Sequence, residues 1–361
     1  MRAVFQIASA RERFVNPESS VAVLTPDAPL EAIGPGGPGR FKVLITGVFL
    51  PHTEMEIAAL ADIADVVVNR EPRRDELLAL VADVDALMVD ISPVDAELLE
   101  HAPRLKAVVM YGVGTDHIDG VAAAARGVVV SNTPEAFSTD VAEHAMALLL
   151  ALSRGVGKAN AEIRTRREWD PYGAGHAPVR LHGKTLGLIG IGRIGRETAR
   201  IAAGLGMRLL AYDPYVDRAG FRRLPGVAME FCDDLAALLA EADAVSLHVP
   251  LTEETRRLIG KPELEAMKPG AFLVNVSRGA LIDLPALREA LEGGRLGGAG
   301  LDVFVPEPPD WDDPLLVAPN LVLTPHMGWR SDLSELEVEM GAVAEVRRIL
   351  LGEGPKFRVN G

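Results

Sequence analysis

Two series of short apolar runs alternate with polar-faced helical segments along the chain. The first series lies between Phe41 and Asn132 and reads KVLITG, DVVVN, ALMVD, KAVVMYG and GVVVSN. The second series follows Lys184 and reads TLGLIG, RLLAYD, AVSLHV, AFLVNVS, GAGLDVF and LVLTPH. Continuous apolar strands separated by helices are typical of parallel sheets covered on both faces, because half-exposed strands would alternate. The pattern therefore predicts an α/β protein with two doubly wound parallel-sheet domains.

Two longer helical patterns and one Pro- and Gly-rich segment divide the chain further. Residues 138–166 are amphipathic, with Ser138 or Thr139 placed to cap the N-terminus, and are predicted to form a connecting helix. The segment SDLSELEVEMGAVAEVRRILL near the C-terminus is helical in pattern and is expected to pack back onto the first domain. The predicted organisation is an N-terminal extension in residues 1–40, a discontinuous domain in residues 41–145 and 330–361, and an inserted domain in residues 146–329.

Composition and charge exclude several classes of protein. The 361 residues include 37 Lys and Arg against 51 Asp and Glu, which gives a formal net charge of -14. This balance argues against nucleic-acid binding, which requires a basic surface. The single cysteine, Cys232, excludes an intrachain disulfide and a cysteine-cluster metal site. The first residues do not form a signal-peptide pattern, and the longest apolar stretch, AMALLLAL, is far shorter than a membrane span. We expect a soluble, cytoplasmic protein without a membrane partner.

A glycine-rich motif opens the second series. Residues 190–195 read GIGRIG, directly after the run TLGLIG and at the start of the helical pattern RIGRETARIAA. In this context the backbone can approach a pyrophosphate at a helix N-terminus, where free N–H groups favour anions. Asp213 ends the next predicted strand, and a carboxylate there accepts ribose hydroxyls and repels a 2'-phosphate, which favours NAD over NADP. A chance glycine-rich turn is the alternative, and Arg193 or Arg218 could tolerate a phosphate.

Polar side chains follow three later strands of the second series. Arg278 lies in NVSRGALID, Asp302 and Glu307 lie in GAGLDVFVPEPP, and His326 lies in LTPHMGW. Each of them alone is explained as well by a structural role, such as a core histidine or a solvated loop carboxylate. Because ligands bind beyond the carboxyl ends of parallel strands, we expect these side chains to converge at the rim that carries Gly190. Together they favour a functional site, since buried polar groups cost free energy unless they are partnered.

Eight motifs in combination indicate a family. They read VGTDHID, NTP, VAEHAMALLLALSR, GKTLGLIGIGRIG, HVPLTEETRRLI, MKPGAFLVNVSRGALID, GAGLDVFVPEPP and LTPHMGW. Through them the chain resembles the D-isomer-specific 2-hydroxyacid dehydrogenase family over nearly its whole length, residues 1–40 excepted. The resemblance implies a flavodoxin-like substrate domain in residues 41–145 and 330–361, with an NAD-binding Rossmann domain inserted as residues 146–329. It also implies a cleft between the two domains and a homodimer.

By this resemblance Arg278, Glu307 and His326 hold the catalytic positions of the family. The guanidinium of Arg278 would bind the carboxylate of a 2-oxo acid and polarise its carbonyl group. His326 would be the general acid in reduction and the general base in oxidation, because histidine titrates near neutrality. Glu307 would hold the other imidazole N–H and favour the charged form of the ring. Alkaline pH should therefore favour oxidation of the hydroxy acid.

The resemblance also implies positions that bind substrate and cofactor. Backbone N–H groups of the loop YGVG would bind the substrate carboxylate; its residues are Tyr111, Gly112, Val113 and Gly114. Asp302 would bind the nicotinamide carboxamide. The other implied NAD-binding residues are Gly190, Gly192, Arg193, Ile194, Gly195, Asp213, Val249, Pro250, Thr255, Val276, Ser277 and Gly328. No metal is expected because the cofactor brings the electrons, and structural roles are favoured for His117, His144 and His248.

Two classes of function remain open on these grounds. The first is an NAD-dependent dehydrogenase or reductase of a small 2-hydroxy or 2-oxo acid, such as glyoxylate, hydroxypyruvate, phosphoglycerate or a branched-chain analogue. The second is an NAD(H)-sensing, corepressor-like binding module with little turnover, because members of both kinds keep the catalytic side chains. The acidic charge favours the enzyme. Oxidation of formate or phosphonate is a lesser alternative, and formate dehydrogenases of the family usually have glutamine where this chain has Glu307.

Overall fold

The chain divides into two units, each built on its own parallel sheet. The computed structural model describes residues 39–48, 52–167, 169–172, 177–218 and 224–360. The first unit contains the described residues up to Ala136 and from Asp332 onward, and the second unit is Phe137–Ser331. Almost all of the predicted N-terminal extension, residues 1–40, lies outside the described part of the chain.

The first unit is built on a five-stranded parallel sheet with the strand order β2-β1-β3-β4-β5. This is the flavodoxin-like order that was predicted. The strands are β1 (Phe41–Thr46), β2 (Ala64–Asn69), β3 (Ala86–Val89), β4 (Ala107–Met110) and β5 (Val129–Ser131). The connecting helices are α1 (Glu54–Leu60), α2 (Arg74–Leu80), α3 (Ala96–His101) and α4 (Gly120–Ala125), with a 3-10 turn at Val81–Asp83.

The second unit is built on a seven-stranded parallel sheet with the order β12-β11-β10-β9-β6-β7-β8. Its strands are β6 (Thr185–Ile189), β7 (Arg208–Tyr212), β8 (Met229–Phe231), β9 (Ala244–Leu247), β10 (Phe272–Asn275), β11 (Gly298–Leu301) and β12 (Leu321–Leu323). Its helices are α5 (Ser138–Arg154), α6 (Val156–Arg166), α7 (Arg193–Gly204), α8 (Leu235–Glu241), α9 (Lys261–Ala266) and α10 (Leu284–Glu292), with 3-10 turns at Gly279–Leu281 and Pro314–Val317. All strands are parallel, and successive strands are added on one side of β6 up to β8 and on the other side from β9 onward. The boundary between β6 and β9 is therefore the switch point at which a Rossmann fold binds its nucleotide.

The C-terminal helix α11 (Ser334–Leu350) belongs to the first unit, as predicted. It packs against α1 and β4. Within this unit Arg347 forms an ion pair with Asp62 at 2.5 Å. The buried carboxylate of Glu345 accepts hydrogen bonds from the Ser131 hydroxyl and from the backbone N–H of Lys356. These bonds attach the C-terminal segment to the edge of the sheet.

Each unit has its own apolar core. Leu44, Leu87 and Val108 are fully buried in the first unit, and Leu188, Val245 and Leu273 are fully buried in the second. The continuous apolar runs predicted such strands, since a parallel sheet is covered on both faces. Over the described ranges, no helix is long and apolar enough to cross a membrane.

The structure differs from the sequence prediction around residues 138–166. A single helix was predicted there, but Gly155, with φ at +63°, separates α5 from α6. The predicted cap is also wrong: Ser138 and Thr139 lie inside α5, and Phe137 occupies the N-cap position without a side-chain cap bond. The domain boundary was placed at 145/146, inside this helix, whereas the structure divides the units at 136/137. The reason is packing, because α5 buries one face against α7, β10 and β11 of the second unit.

Candidate active site

The glycine-rich turn lies between β6 and α7 in the second unit. Gly190 adopts a φ of +93°, and its N–H donates to the carbonyl of Tyr212 at 2.9 Å. A Cβ atom on Gly190 would lie 2.8 Å from the His248 carbonyl, and one on Gly195 would lie 2.2 Å from the Gly190 oxygen. Gly192 faces open space and starts α7. The backbone around Gly190 and Gly195 therefore has no room for larger side chains, whereas the space beside Gly192 is open. A pyrophosphate fits in this open space at the N-terminus of α7.

Asp213 follows β7 at the neighbouring strand end. Its carboxylate accepts the N–H of Ile191 at 2.9 Å and the N–H of Tyr215 at 3.0 Å, which fixes the side chain beside the glycine-rich turn. A carboxylate has about four lone-pair positions, so it can still accept ribose hydroxyls. Arg218 is engaged elsewhere, since it donates to Asp233 at 2.6 Å and to the Cys232 carbonyl. The arrangement fits the adenosine ribose of NAD.

The predicted cofactor wall follows β9 and β10, with Ile194 half-buried on the first turn of α7. The hydroxyl of Ser277 donates to the carbonyl of Val249 at 2.6 Å, and Val276 is buried. The hydroxyl of Thr255 donates to the carbonyl of Pro250 at 2.7 Å and closes the loop after β9. The two strand ends are therefore joined by hydrogen bonds. Arg193 is exposed at the first position of α7.

His326 and Glu307 form a hydrogen-bonded pair after β12 and β11. The distance between His326 Nδ1 and Glu307 Oε2 is 2.7 Å, and the two side chains are 41% and 38% exposed. The other oxygen, Oε1, accepts the N–H of Phe304 at 2.8 Å. Burial opposes ionisation of Glu307, but the hydrogen bond and charge of His326, with smaller contributions from Phe304 and Arg278, bring its pKa below the usual range. An ionised carboxylate only accepts hydrogen bonds, so Nδ1 of His326 carries the hydrogen.

Arg278 follows β10 and is held by its neighbours. Asn275 donates through Nδ2 to the Arg278 carbonyl at 2.8 Å, and the guanidinium Nη1 donates to the Ser277 carbonyl at 2.9 Å. At Gly279 a Cβ atom would lie 2.1 Å from the carbonyl carbon of Phe304, so the loops after β10 and β11 are in direct contact. Asn275 was not singled out from the sequence, although its place directly before Val276 and Ser277 at a buried strand end was a usable signal.

Asp302 lies at the end of β11 and is only 2% exposed. Its Oδ1 accepts the Thr324 hydroxyl at 2.6 Å and the N–H of Met327 at 3.0 Å, while Oδ2 accepts the N–H of Gly328 at 2.8 Å. These three hydrogen bonds leave acceptor capacity on the carboxylate, and its binding of the nicotinamide carboxamide stays a prediction. In this structure Asp302 anchors the loop that carries His326.

The loop from Thr324 to Gly328 holds His326 in an uncommon backbone conformation. The φ of His326 is +51°, and its N–H donates to the Asp302 carbonyl at 2.7 Å. A left-handed conformation at a residue other than glycine costs free energy and is found where the surroundings fix it. The surroundings here include His144 of α5, whose Nε2 lies 2.8 Å from the Thr324 hydroxyl and 3.3 Å from Asp302 Oδ1. This supporting role of His144 agrees with the structural role predicted for it.

His248 lies at the end of β9 beside the glycine-rich turn. Its Nε2 is 3.0 Å from the Ser246 hydroxyl, and burial lowers the pKa of its imidazole to about 3. The ring is therefore neutral, as the structural role predicted for it requires. Across the described ranges, no group of three or more His, Cys, Asp and Glu side chains could hold a metal ion.

The loop Tyr111–Gly114 follows β4 in the first unit. Gly112 has a φ of +152°, a conformation open to glycine, and its carbonyl accepts the N–H of Thr133 at 2.9 Å. The Val113 carbonyl accepts from Asn132 Nδ2 at 2.8 Å. Both carbonyls are thus held by hydrogen bonds from Asn132 and Thr133, which belong to the NTP motif after β5. Among the described residues, the N–H groups of Gly112, Val113 and Gly114 donate no hydrogen bond, which is the state expected of an anion-binding loop.

Strand-end residues of the second unit follow adjacent strands at one edge of the sheet. His326, Glu307, Arg278, Val249, Gly190 and Asp213 follow β12, β11, β10, β9, β6 and β7, which is the spatial order of the sheet. The structure thus places the predicted catalytic and cofactor residues of this unit along one rim. Residues 146–328 match the model of the D-isomer specific 2-hydroxyacid dehydrogenase, NAD binding domain. The chain belongs to this family.

Two relatives are similar in sequence to this chain over most of its length. A D-3-phosphoglycerate dehydrogenase of Methanocaldococcus jannaschii is 38% identical over 320 residues, which are 88% of this chain and 59% of the relative. A glyoxylate reductase of Thermofilum pendens is 38% identical over 329 residues, which are 89% of this chain and 95% of the relative. The chain therefore spans less than two thirds of the phosphoglycerate dehydrogenase but nearly all of the glyoxylate reductase.

A solved structure shows the same fold. It is the NADPH-dependent glyoxylate/hydroxypyruvate reductase of Sinorhizobium meliloti in complex with NADP and malonate, which is 30% identical with a TM-score of 0.79. The match covers 89% of this chain and 97% of that chain. The family assignment confirms the predicted α/β fold and the nicotinamide dinucleotide cofactor. The relatives reported are enzymes, which does not favour the corepressor-like alternative.

Proposed function

We propose that this protein reduces a small 2-oxo acid to a 2-hydroxy acid with NADH, and catalyses the reverse oxidation. The observation that carries the proposal is the pair of His326 and Glu307, half-exposed at the rim of a nucleotide-binding sheet. A buried structural histidine would not leave one ring nitrogen available at such a rim. The substrate class is supported by the similarity to a glyoxylate reductase and a D-3-phosphoglycerate dehydrogenase.

Proton transfer is assigned to Nε2 of His326. Because Nδ1 donates to Glu307, the second nitrogen is the atom that can give a proton to the substrate carbonyl oxygen. Bound NADH would supply the hydride to the carbonyl carbon. The reduction therefore consumes one proton from the charged imidazole, and the oxidation returns it. The ionised Glu307 stabilises the charged ring and holds its plane.

Arg278 is assigned to the substrate. Its planar guanidinium can donate two parallel hydrogen bonds to a carboxylate and polarise the adjacent carbonyl. The guanidinium already donates to the Ser277 carbonyl, so the side chain loses less conformational entropy when the substrate binds. The positive charge of Arg278 already contributes to the low pKa of Glu307, which places these two groups within electrostatic reach.

The loop Tyr111–Gly114 is assigned to the substrate carboxylate. Its carbonyls are fixed by Asn132 and Thr133, and its N–H groups have no acceptor among the described residues. Successive backbone N–H groups that converge in a turn can bind an anion.

The cofactor preference is assigned to Asp213. The side chain is held beside the glycine-rich turn by two backbone N–H groups, and its negative charge would oppose a 2'-phosphate. Arg218, which could have neutralised that phosphate, is paired with Asp233. We therefore propose NADH as the preferred cofactor, although the reductase of Sinorhizobium meliloti uses NADPH.

A homodimer is assigned to the face of α6. No residue of this helix is buried within its own chain, and Val156 and Ile163 are 58% and 47% exposed. The two apolar residues are seven positions apart and so lie on one stripe of the helix. An isolated helix of this length is marginal in water, so a second copy of the chain would stabilise it by covering this stripe.

The test is an NADH oxidation assay with a panel of 2-oxo acids. The panel contains glyoxylate, hydroxypyruvate, 3-phosphohydroxypyruvate and 2-oxoisocaproate. His326→Ala should lower kcat by about 100-fold or more, because a positioned general acid contributes at least that factor. Arg278→Ala should raise the KM for the 2-oxo acid and lower kcat. His101→Ala and Arg126→Ala, both exposed residues of the first unit, are the matched controls.

Two results would overturn the proposal. If the unmodified protein turns over no member of the panel yet binds NADH, as followed by nicotinamide fluorescence, the binding-module alternative gains the support. If the enzyme is active and His326→Ala keeps full activity, the fold assignment stands but the proton donor is another group.

A further inference from the structure

A buried carboxyl group lies behind the proposed carboxylate-binding loop. Glu56 of α1 is fully buried, and its Oε1 accepts a hydrogen bond from the Tyr111 hydroxyl at 3.1 Å. Tyr111 is itself buried and is the first residue of the loop. The bond joins α1 to the end of β4 across 55 residues of chain within the first unit. Glu56 was not singled out from the sequence.

The surroundings of this pair carry several charges. Glu54 lies on the same helix, and Arg70 follows β2. Glu339 of α11 and Asp90 after β3 both act on Tyr111, and Glu339 is buried as well. Burial, partly offset by hydrogen bonds to its backbone and to Tyr111, raises the pKa of Glu56 to about 7. Two buried carboxyl groups near one hydroxyl are difficult to ionise together.

The position of the pair ties it to the loop. The N–H of Tyr111 donates to the Val89 carbonyl at 2.8 Å, so the backbone of this residue continues the sheet. The side chain of Tyr111 is held by Glu56, and the next residue, Gly112, turns the chain with its φ of +152°. The direction of the first loop N–H therefore depends on how Tyr111 is held. Thr133 and Asn132 fix the far side of the same turn.

We propose that Glu56, acting through Tyr111, is a positioning residue that presents the loop N–H groups to the substrate carboxylate, and that the uncharged form of Glu56 is the competent one. This inference rests on the proposed function. The uncharged acid can still accept the tyrosine hydrogen bond through its carbonyl oxygen. An ionised Glu56 would add a negative charge behind a loop that must bind an anion, and at Oε2 it has no partner in the described part of the chain.

The test compares two conservative variants with two controls. Tyr111→Phe removes the hydroxyl, and Glu56→Gln keeps an acceptor of the same shape but cannot ionise. Tyr172→Phe and Glu100→Gln make the same chemical changes at exposed positions. Hydrogen–deuterium exchange of the peptide that contains residues 111–114 is measured with and without oxalate, which carries the carboxylate but cannot be reduced, in the presence of NADH. This measurement needs no turnover.

Loss of one neutral hydrogen bond should weaken loop positioning by about three- to tenfold. Tyr111→Phe should speed exchange of the loop, raise the KM for glyoxylate by that factor, and leave kcat and the KM for NADH close to the unmodified values. In the unmodified protein the KM for glyoxylate should rise between pH 6 and pH 8 relative to Glu56→Gln at the same pH. The ratio isolates the contribution of Glu56, because the two proteins differ at no other residue.

Different failures are distinguishable. If Tyr111→Phe lowers the melting temperature but leaves loop exchange and oxalate protection unchanged, the pair is only structural and the inference is overturned. If the KM ratio stays constant across pH, the claim about the uncharged form is overturned. If no 2-oxo acid is turned over but Tyr111→Phe still speeds loop exchange and weakens oxalate protection, the proposed function fails while the positioning role stands.

Discussion

Nδ1 of His326 lies 2.7 Å from Oε2 of Glu307, although 19 residues of chain separate the two. The bond brings the loop after β12 to the loop after β11. Because the Glu307 pKa is lowered, the carboxylate is ionised at neutral pH and the imidazole must donate through Nδ1. The hydrogen bond between Nδ1 and Glu307 therefore leaves Nε2 as the ring nitrogen that can act on the substrate.

Glu307→Gln should impair reduction more than it impairs folding. The amide can still accept the Nδ1 hydrogen, but its lack of charge no longer favours the charged imidazole. We expect kcat/KM for the 2-oxo acid at pH 7 to fall by about tenfold or more, and the alkaline fall of the reduction rate to begin at lower pH. Steady-state rates from pH 5 to pH 9 check this, with Glu265→Gln at an exposed position as the control. An unchanged pH profile would show that Glu307 does not act on His326.

Asp302→Asn should destabilise the protein and misplace His326. The carboxylate accepts the N–H of both Met327 and Gly328, and an amide would turn a donor towards one of them. The expected loss is about 2–4 kcal/mol in the free energy of unfolding, together with a lower kcat. Thermal melting and the KM for NADH are measured together. A raised KM for NADH without any loss of melting temperature would instead support the prediction that Asp302 binds the nicotinamide.

The pH dependence of stability gives an independent check on Asp302. Burial raises its pKa, but the hydrogen bonds it accepts, that from His144 first among them, lower it more, and the net pKa is below 3.8. A depressed folded-state pKa contributes stability that is complete above the unfolded value and is lost as the pH falls through the folded value. Acid unfolding of the unmodified protein should therefore include a component below about pH 3.8 that Asp302→Asn lacks.

The sequence predicted the sheets better than it predicted the loops. Every apolar run that was read as a strand is a strand, because burial on both faces leaves a continuous pattern. The omitted strand, β8, has only three residues and none is buried, so it has no such pattern. The break at Gly155 was also omitted, since a single glycine in a long amphipathic segment is compatible with a continuous helix.

The candidate site was predicted by residue type but not by geometry. The motifs indicated His326 and Arg278, while the positive φ of His326 depends on tertiary contacts that no local pattern records. The anchoring role of Asp302 was not predicted, because the sequence does not show whether a carboxylate at a strand end accepts hydrogen bonds from a ligand or from its own chain. Glu56 was overlooked for a related reason, because a polar residue within an amphipathic helix reads as solvent-facing until its burial is known.

Asp213 should decide the choice between NADH and NADPH. Asp213→Ser removes the charge that opposes the 2'-phosphate, and the ratio of kcat/KM for NADH to that for NADPH should fall by about tenfold or more. Arg218→Ala should leave the ratio unchanged, because that guanidinium is engaged by Asp233 and the Cys232 carbonyl. Both cofactors are compared with a single 2-oxo acid. A preference for NADPH in the unmodified protein would refute the assignment of Asp213.

Asn360 should contribute strongly to the stability of the first unit. Its side chain accepts the Val130 N–H at 2.7 Å and donates to the Val128 carbonyl at 2.8 Å, at the edge of the sheet. Asn360→Ala would leave two buried backbone groups without partners, at a cost of about 2–4 kcal/mol in the free energy of unfolding. Urea denaturation followed by circular dichroism measures the loss. Glu100→Ala, at an exposed position of the same unit, should change stability by no more than about 0.5 kcal/mol.

Ile163→Glu should convert the proposed dimer into monomers. Ile163 and Val156 form the exposed apolar stripe of α6, and a carboxylate facing its own copy across a two-fold axis would be repelled as well as desolvated. Light scattering coupled to size-exclusion chromatography should give twice the chain mass for the unmodified protein and one chain mass for the variant. Lys158→Glu changes the charge on the same helix but not the stripe, and should remain dimeric. A monomeric unmodified protein, or a dimeric Ile163→Glu, would place any self-association on another surface, since the stripe would then not be the region that a second copy covers.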